Sequence, residues 1–74
     1  MTDQDIIRMI QAELPDAEVR PDGEGCNFRI AVTSSAFSGK TLLQQHQMLN
    51  NILKPALDSG ELHAVSYDTR TPQN

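Results

Sequence analysis

Between Cys26 and Thr33 the chain alternates without a break. Phe28, Ile30 and Val32 point one way; Asn27, Arg29, Ala31 and Thr33 point the other. A period of two with one apolar side is the pattern of a half-buried strand. That strand constrains the rest, because its apolar side has to be covered by elements drawn from only 74 residues. The segment before it, Asp16 to Pro21, reads as a second short strand with Ala17 and Val19 on one face. Asp22-Gly23-Glu24-Gly25 lies between them, a turn or loop by its glycine content. The two strands most simply form a hairpin.

Cover for the hairpin comes from two stretches of helical period. Ile6, Ile7, Met9, Ile10 and Leu14 make an apolar stripe behind Thr2, with Asp5 three residues on in place of the preferred Glu or Gln of a capping box. Pro15 biases Leu14 away from helical geometry, so this helix stops there. Further on, Ser34 to Lys40 is a connector of small residues with one anchor, Phe37, and Thr41 stands where a cap belongs. Leu42, His46, Leu49, Leu53 and Leu57 then share a stripe, supported by Leu43 and Ile52. Pro55 would cost about 3 kcal/mol inside an unbroken helix. The main helix is therefore predicted to end near Leu53, with a loose turn through Leu57 and a stop at Asp58-Ser59-Gly60. Glu61 to Thr69 is a third strand, followed by a fraying tail around Pro72.

The order is α-β-β-α-β. A strand that follows a long helix can return parallel to one of the hairpin strands, giving a three-stranded mixed sheet. With both helices on one face, the expected fold is a two-layer α+β domain, one domain over residues 1–74. At this length there is one thin layer of helices on one sheet, and a deep enclosed active site is not expected.

Charge and cysteine usage narrow the function. Net charge is −4, and the six basic residues are scattered. Nucleic-acid affinity depends largely on neutralising phosphates, so an acidic chain without a basic stripe starts at a disadvantage. One cysteine excludes an internal disulfide and fits a reducing compartment. No basic-plus-apolar leader is seen, and no apolar run approaches the ~20 residues needed to span a bilayer. A cytoplasmic location is expected, or the mature form of an organellar protein, with no membrane association.

Three side chains could carry chemistry. Cys26 sits where the glycine loop enters the strand, either as a small residue at a strand edge or as a thiolate metal ligand. The acidic neighbours Asp22 and Glu24 would raise a thiol pKa, which argues against a nucleophile. His63 opens the third strand, either hydrogen-bonded locally or as a neutral imidazole ligand. His46, on the apolar stripe, is expected to be a core or boundary histidine with a hydrogen-bond partner. Ser38-Gly39-Lys40-Thr41 resembles the tail of a phosphate-binding loop, but Ser34 stands where its first glycine is required. Gly23-Glu24-Gly25 fails as a dinucleotide fingerprint, because Phe28 occupies the third glycine position. No pair of carboxylates stands out for acid–base work, and HExxH and CxxC are absent, so nothing points to catalysis. A two-iron cluster needs four ligands, usually thiolates, with histidine as the known substitute. One cysteine and two histidines cannot complete such a site, so any cluster would be shared with a partner.

Several of these pieces occur together in one family. Phe28 to Val32, Phe37-Ser38-Gly39-Lys40 running into Gln45-His46, and His63-Ala64 with the trailing Thr71-Pro72 resemble the BolA family, in that order, over roughly Ile6 to Pro72. The resemblance implies a fold like the class II KH domain. It also implies a heterodimer with a monothiol glutaredoxin, sharing a 2Fe-2S cluster together with glutathione. His63 matches the family's C-terminal ligand histidine, and Cys26 is the available residue for the second ligand in the loop between the first two strands. Many members carry Arg where this chain has Gln45, and many continue past the Thr-Pro. Both departures weaken the nucleic-acid role attributed to some members. The expected function is a non-catalytic adaptor in iron–sulfur cluster trafficking or iron and redox sensing. The alternatives are a DNA-binding transcriptional regulator with a KH-like surface, or a metal-free interaction module.

Overall fold

The computed structural model of the chain describes residues 1–25 and 27–72. Thr2 caps the first helix, α1 (Asp3–Glu13), by a complete capping box. Its hydroxyl accepts from the Asp5 N–H while the Asp5 carboxylate accepts from the Thr2 N–H. Asp thus fills the role usually given to Glu or Gln, and these hydrogen bonds hold its carboxyl below the usual range. Ile6 and Ile10 are buried, and Leu14 ends the helix ahead of Pro15.

Two antiparallel strands follow, β1 (Glu18–Glu24) and β2 (Asn27–Thr33), with Glu18 opposite Thr33 and Glu24 opposite Asn27. The first strand is longer than the sequence suggests. Asp22, Gly23 and Glu24 are paired residues of β1, not a loop. Gly23 makes this possible, because it adopts φ +147° and its Cα packs against the Asn27–Phe28 backbone, leaving no room for a side chain. Phe28, Ile30 and Val32 are buried, as the alternation requires.

A single 3₁₀ turn at Ser35–Phe37 buries Phe37 completely. Then come α2 (Leu42–Ile52), capped by a Thr41–Gln44 box, and α3 (Lys54–Ser59). The predicted loose turn is a true short helix. Pro55 lies in its first turn, where a missing N–H breaks no intrahelical bond. Leu49, Leu53 and Ala56 are buried, but Leu42 and Leu43 stand 63% and 68% exposed. Their assignment to the packed stripe is incorrect: at the first turn of α2 they lie beyond the edge of the core. The last strand, β3 (Ala64–Arg70), starts later than predicted and runs parallel to β2, with Asn27 opposite Ala64 and Thr33 opposite Arg70.

The sheet order is β1-β2-β3, a mixed three-stranded sheet in an α+β fold of order α-β-β-α-β, with α3 as a short addition before β3. Its apolar face meets α1 and α2, while its other face is polar and open. Two polar clasps fix the layers. The Asp16 carboxylate, in the α1–β1 connection, accepts from the Ser34 hydroxyl and from the Ser35 N–H and hydroxyl at 2.7 to 2.8 Å. Gln45 of α2 donates to the Lys40 carbonyl and accepts from the Thr69 hydroxyl, tying α2 to the far end of β3. Among the described residues, no helix is long and apolar enough to cross a membrane.

Candidate functional site

The corner between α3 and β3 determines where His63 goes. Gly60 ends α3 in the left-handed conformation at φ 84°. The Ser59 hydroxyl donates to the Ala56 carbonyl and accepts from the Glu61 N–H. Leu62 is driven into the core at 1% exposure, and its N–H bonds to the Ala56 carbonyl at 3.1 Å. With Leu62 anchored inward, the next residue faces out. His63 is exposed and stands immediately before the first residue of β3. Its ring is open to solvent, and imidazole is a common metal ligand.

The register shows what lies beside it. Ala64 is the partner of Asn27, which is also the partner of Glu24 at the end of the β1–β2 hairpin. His63 therefore sits at the hairpin end of the sheet, next to the start of β2. Cys26, the other candidate ligand, lies outside the described residues. The small side chains Ala64 and Ser66, set beside Asn27 and Arg29, leave an open depression of about 390 Å³ at this end. Among the described residues, no group of three or more His, Cys, Asp or Glu side chains is placed to hold a metal ion.

His46 lies on α2 and packs against β3. It is partly buried, with its ring edge-on to Tyr67 at 5.5 Å and 65°. The expected hydrogen-bond partner is missing at one nitrogen, since Nε2 is buried with none among the described residues. Its neighbour Tyr67 donates to Asn50 Oδ1 at 2.6 Å, and burial pushes its hydroxyl pKa up to about 12. Gly39 takes φ 75° in the turn before α2 and Lys40 is exposed, which is turn chemistry and not a phosphate cradle.

Asp16 was not singled out by sequence reasoning, yet it organises the start of the helical layer. Hydrogen bonds from Ser35, then Ser34, lower its pKa from 3.8 to about 2. The only sequence signal was its place after Pro15, together with a Ser-Ser pair 18 residues on. The clasp of Gln45 on Thr69 spans 24 residues and leaves no local mark in the sequence.

Comparison with known proteins agrees with this architecture. Residues 7–74 match the sequence model of the family described as BolA-like protein. The chain is 35% identical over 52 residues to a BolA-like protein of Dictyostelium discoideum, covering 70% of this chain and 46% of that one. It is 40% identical over 52 residues to BolA-like protein 1 of Homo sapiens, covering 70% of this chain and 37% of that one. The match thus spans less than half the length of these relatives. Among solved structures, a BolA homologue from Coxiella burnetii superposes with a TM-score of 0.85 at 33% identity, covering 97% of this chain and 92% of that one. With the family's sequence pattern running through nearly its whole length and the same fold beneath it, this chain belongs to the BolA family.

Proposed function

We propose that this protein is a non-catalytic adaptor that binds a monothiol glutaredoxin and contributes His63, with Cys26, to a 2Fe-2S cluster held between the two proteins. The supporting observation is the parallel register. Asn27 and Ala64 are partners, and Cys26 and His63 each stand one peptide before them in the sequence. The donor set suits the group. A thiolate and a neutral imidazole are both ligands of two-iron clusters, and histidine raises the reduction potential relative to an all-thiolate site. Two donors leave two to be supplied from outside, which glutaredoxin and glutathione thiolates would provide. When bound, the cluster supplies electron storage or a transferable cargo. This chain's residues supply ligands, a rigid edge and a surface for docking.

A duplex-DNA role draws less support. The open face of the sheet carries Arg20 paired with Glu18 at 2.6 Å and Arg70 paired with Asp68 at 3.3 Å. Interleaved carboxylates oppose the phosphate contacts that supply most non-specific affinity.

The test is anaerobic cluster reconstitution with a monothiol glutaredoxin and glutathione, with and without this protein, read by visible circular dichroism. A one-to-one complex with a changed spectrum is expected, and His63→Ala should alter that spectrum. A spectrum unchanged in His63→Ala would remove the ligand assignment. A spectrum identical to glutaredoxin alone would remove the mechanism.

A further inference from the structure

The sheet has two edges, and only one is protected. β1 carries Pro21 at its middle and the contorted Gly23 near its end, devices that stop a strand from templating another. β3 has neither proline nor bulge across its seven residues. Arg70 accepts from the Ser34 N–H through its carbonyl, so its backbone faces β2. Backbone groups alternate sides along a strand, which turns the N–H and C=O of Val65, Tyr67 and Thr69 outward. Among the described residues these outward groups meet no further strand.

We infer that a second copy of this chain covers that edge, β3 pairing antiparallel with its twin about a twofold axis at Thr69. Two independent features select this register. With Thr69 opposite Thr69 of the second copy, Asp68 falls opposite Arg70 and Arg70 opposite Asp68, so unlike charges meet twice on the open face. Centring the axis on Tyr67 instead would bring the two Asp68 side chains diagonally together. On the other face, the Thr69 hydroxyl is bound to Gln45, and Leu42 lies one helical turn before Gln45 on the same side of α2. The axis at Thr69 therefore brings together the first turns of the two α2 helices, where Leu42 and Leu43 are 63% and 68% exposed. The outward parity of Thr69 makes it a hydrogen-bonded pair, with Tyr67 opposite Thr71 forming the next on either side. The twofold axis lies six residues along the chain from His63, roughly 20 Å away.

Sedimentation equilibrium from about 10 µM to about 1 mM tests the interface on the intact chain. A concentration-dependent monomer–dimer equilibrium is expected, with amide exchange at Tyr67 and Thr69 slowing as concentration rises. Asp68→Arg should weaken association by about tenfold, since it sets like charges opposite one another twice. The double variant Asp68→Arg/Arg70→Asp should restore it, and Leu42→Asp should weaken it. Far-UV circular dichroism establishes that each variant is folded. A chain that stays monomeric at about 1 mM overturns the inference. So does an Asp68→Arg variant that dimerises like wild type, or a double variant no better than the single one.

Discussion

Gly23→Ala tests the hairpin that carries the proposed ligand loop. A Cβ on Gly23 would lie 2.1 Å from the Asn27 carbonyl oxygen and 2.9 Å from Phe28 Cα. Non-bonded carbon contacts settle near 3.5 Å, so relief needs a backbone shift of roughly 1 Å. The φ of +147° adds a second penalty, since an L residue held in such a region costs about 1–3 kcal/mol. The alternative is to release the Gly23–Phe28 and Glu24–Asn27 end of the ladder, losing hydrogen bonds worth about 0.5–1.5 kcal/mol each. By either route the loss is about 2–3 kcal/mol. A 74-residue chain has about 4–11 kcal/mol in total. At about 4–8 °C per kcal/mol, Tm should fall by roughly 8–24 °C. Gly60→Ala is the control: its φ is 84° but its Cβ would meet open space, so it should lose only about 1 kcal/mol. Thermal and urea melts of both variants decide the matter. If Gly23→Ala melts within about 3 °C of wild type, or no lower than Gly60→Ala, the close-approach reasoning is wrong.

Other outcomes follow from the same contacts. Phe37→Ala empties the fully buried anchor between β2 and α2 and should cost about 3–5 kcal/mol by urea unfolding, a large share of the fold's stability. Asp16 has a lower pKa folded, about 2, than its ordinary 3.8. Its contribution is therefore complete above 3.8 and is lost as pH falls through about 2, and Asp16→Asn should flatten that acid limb in urea melts taken across this window. Tyr67 should ionise near pH 12 by ultraviolet titration of the folded protein; because the unfolded tyrosine ionises near 10, stability should decline as pH rises from about 10 towards 12. A tyrosinate signal at pH 10 in folded protein would contradict the burial and the Asn50 bond. Thr41→Ala should cost about 1 kcal/mol through loss of the α2 cap, read as a lower urea midpoint.

Local rules carry far in this chain. Thr2, Pro15, Thr41 and Pro55 punctuate the helices through caps and missing N–H groups, and Phe28, Ile30 and Val32 name the buried face of β2. These depend on neighbours within four residues, so they are legible in order and composition. Family membership was legible for the same reason, because its signature is an ordered set of such short pieces. Features set by distant partners were not. Gly23 reads as loop glycine until Asn27 and Phe28 close over it, and β1 then extends to Glu24. Leu42 and Leu43 fit a helical stripe, but only the position of β3 shows that the sheet does not reach beneath them. Asp16 and Gln45 gain their roles from Ser34, Ser35 and Thr69 across 18 to 24 residues. Sequence alone could nominate His63 as a ligand. Its outward placement beside the start of β2 came from the parallel return of β3 and the burial of Leu62, because strand register is decided by packing between segments that no local pattern connects.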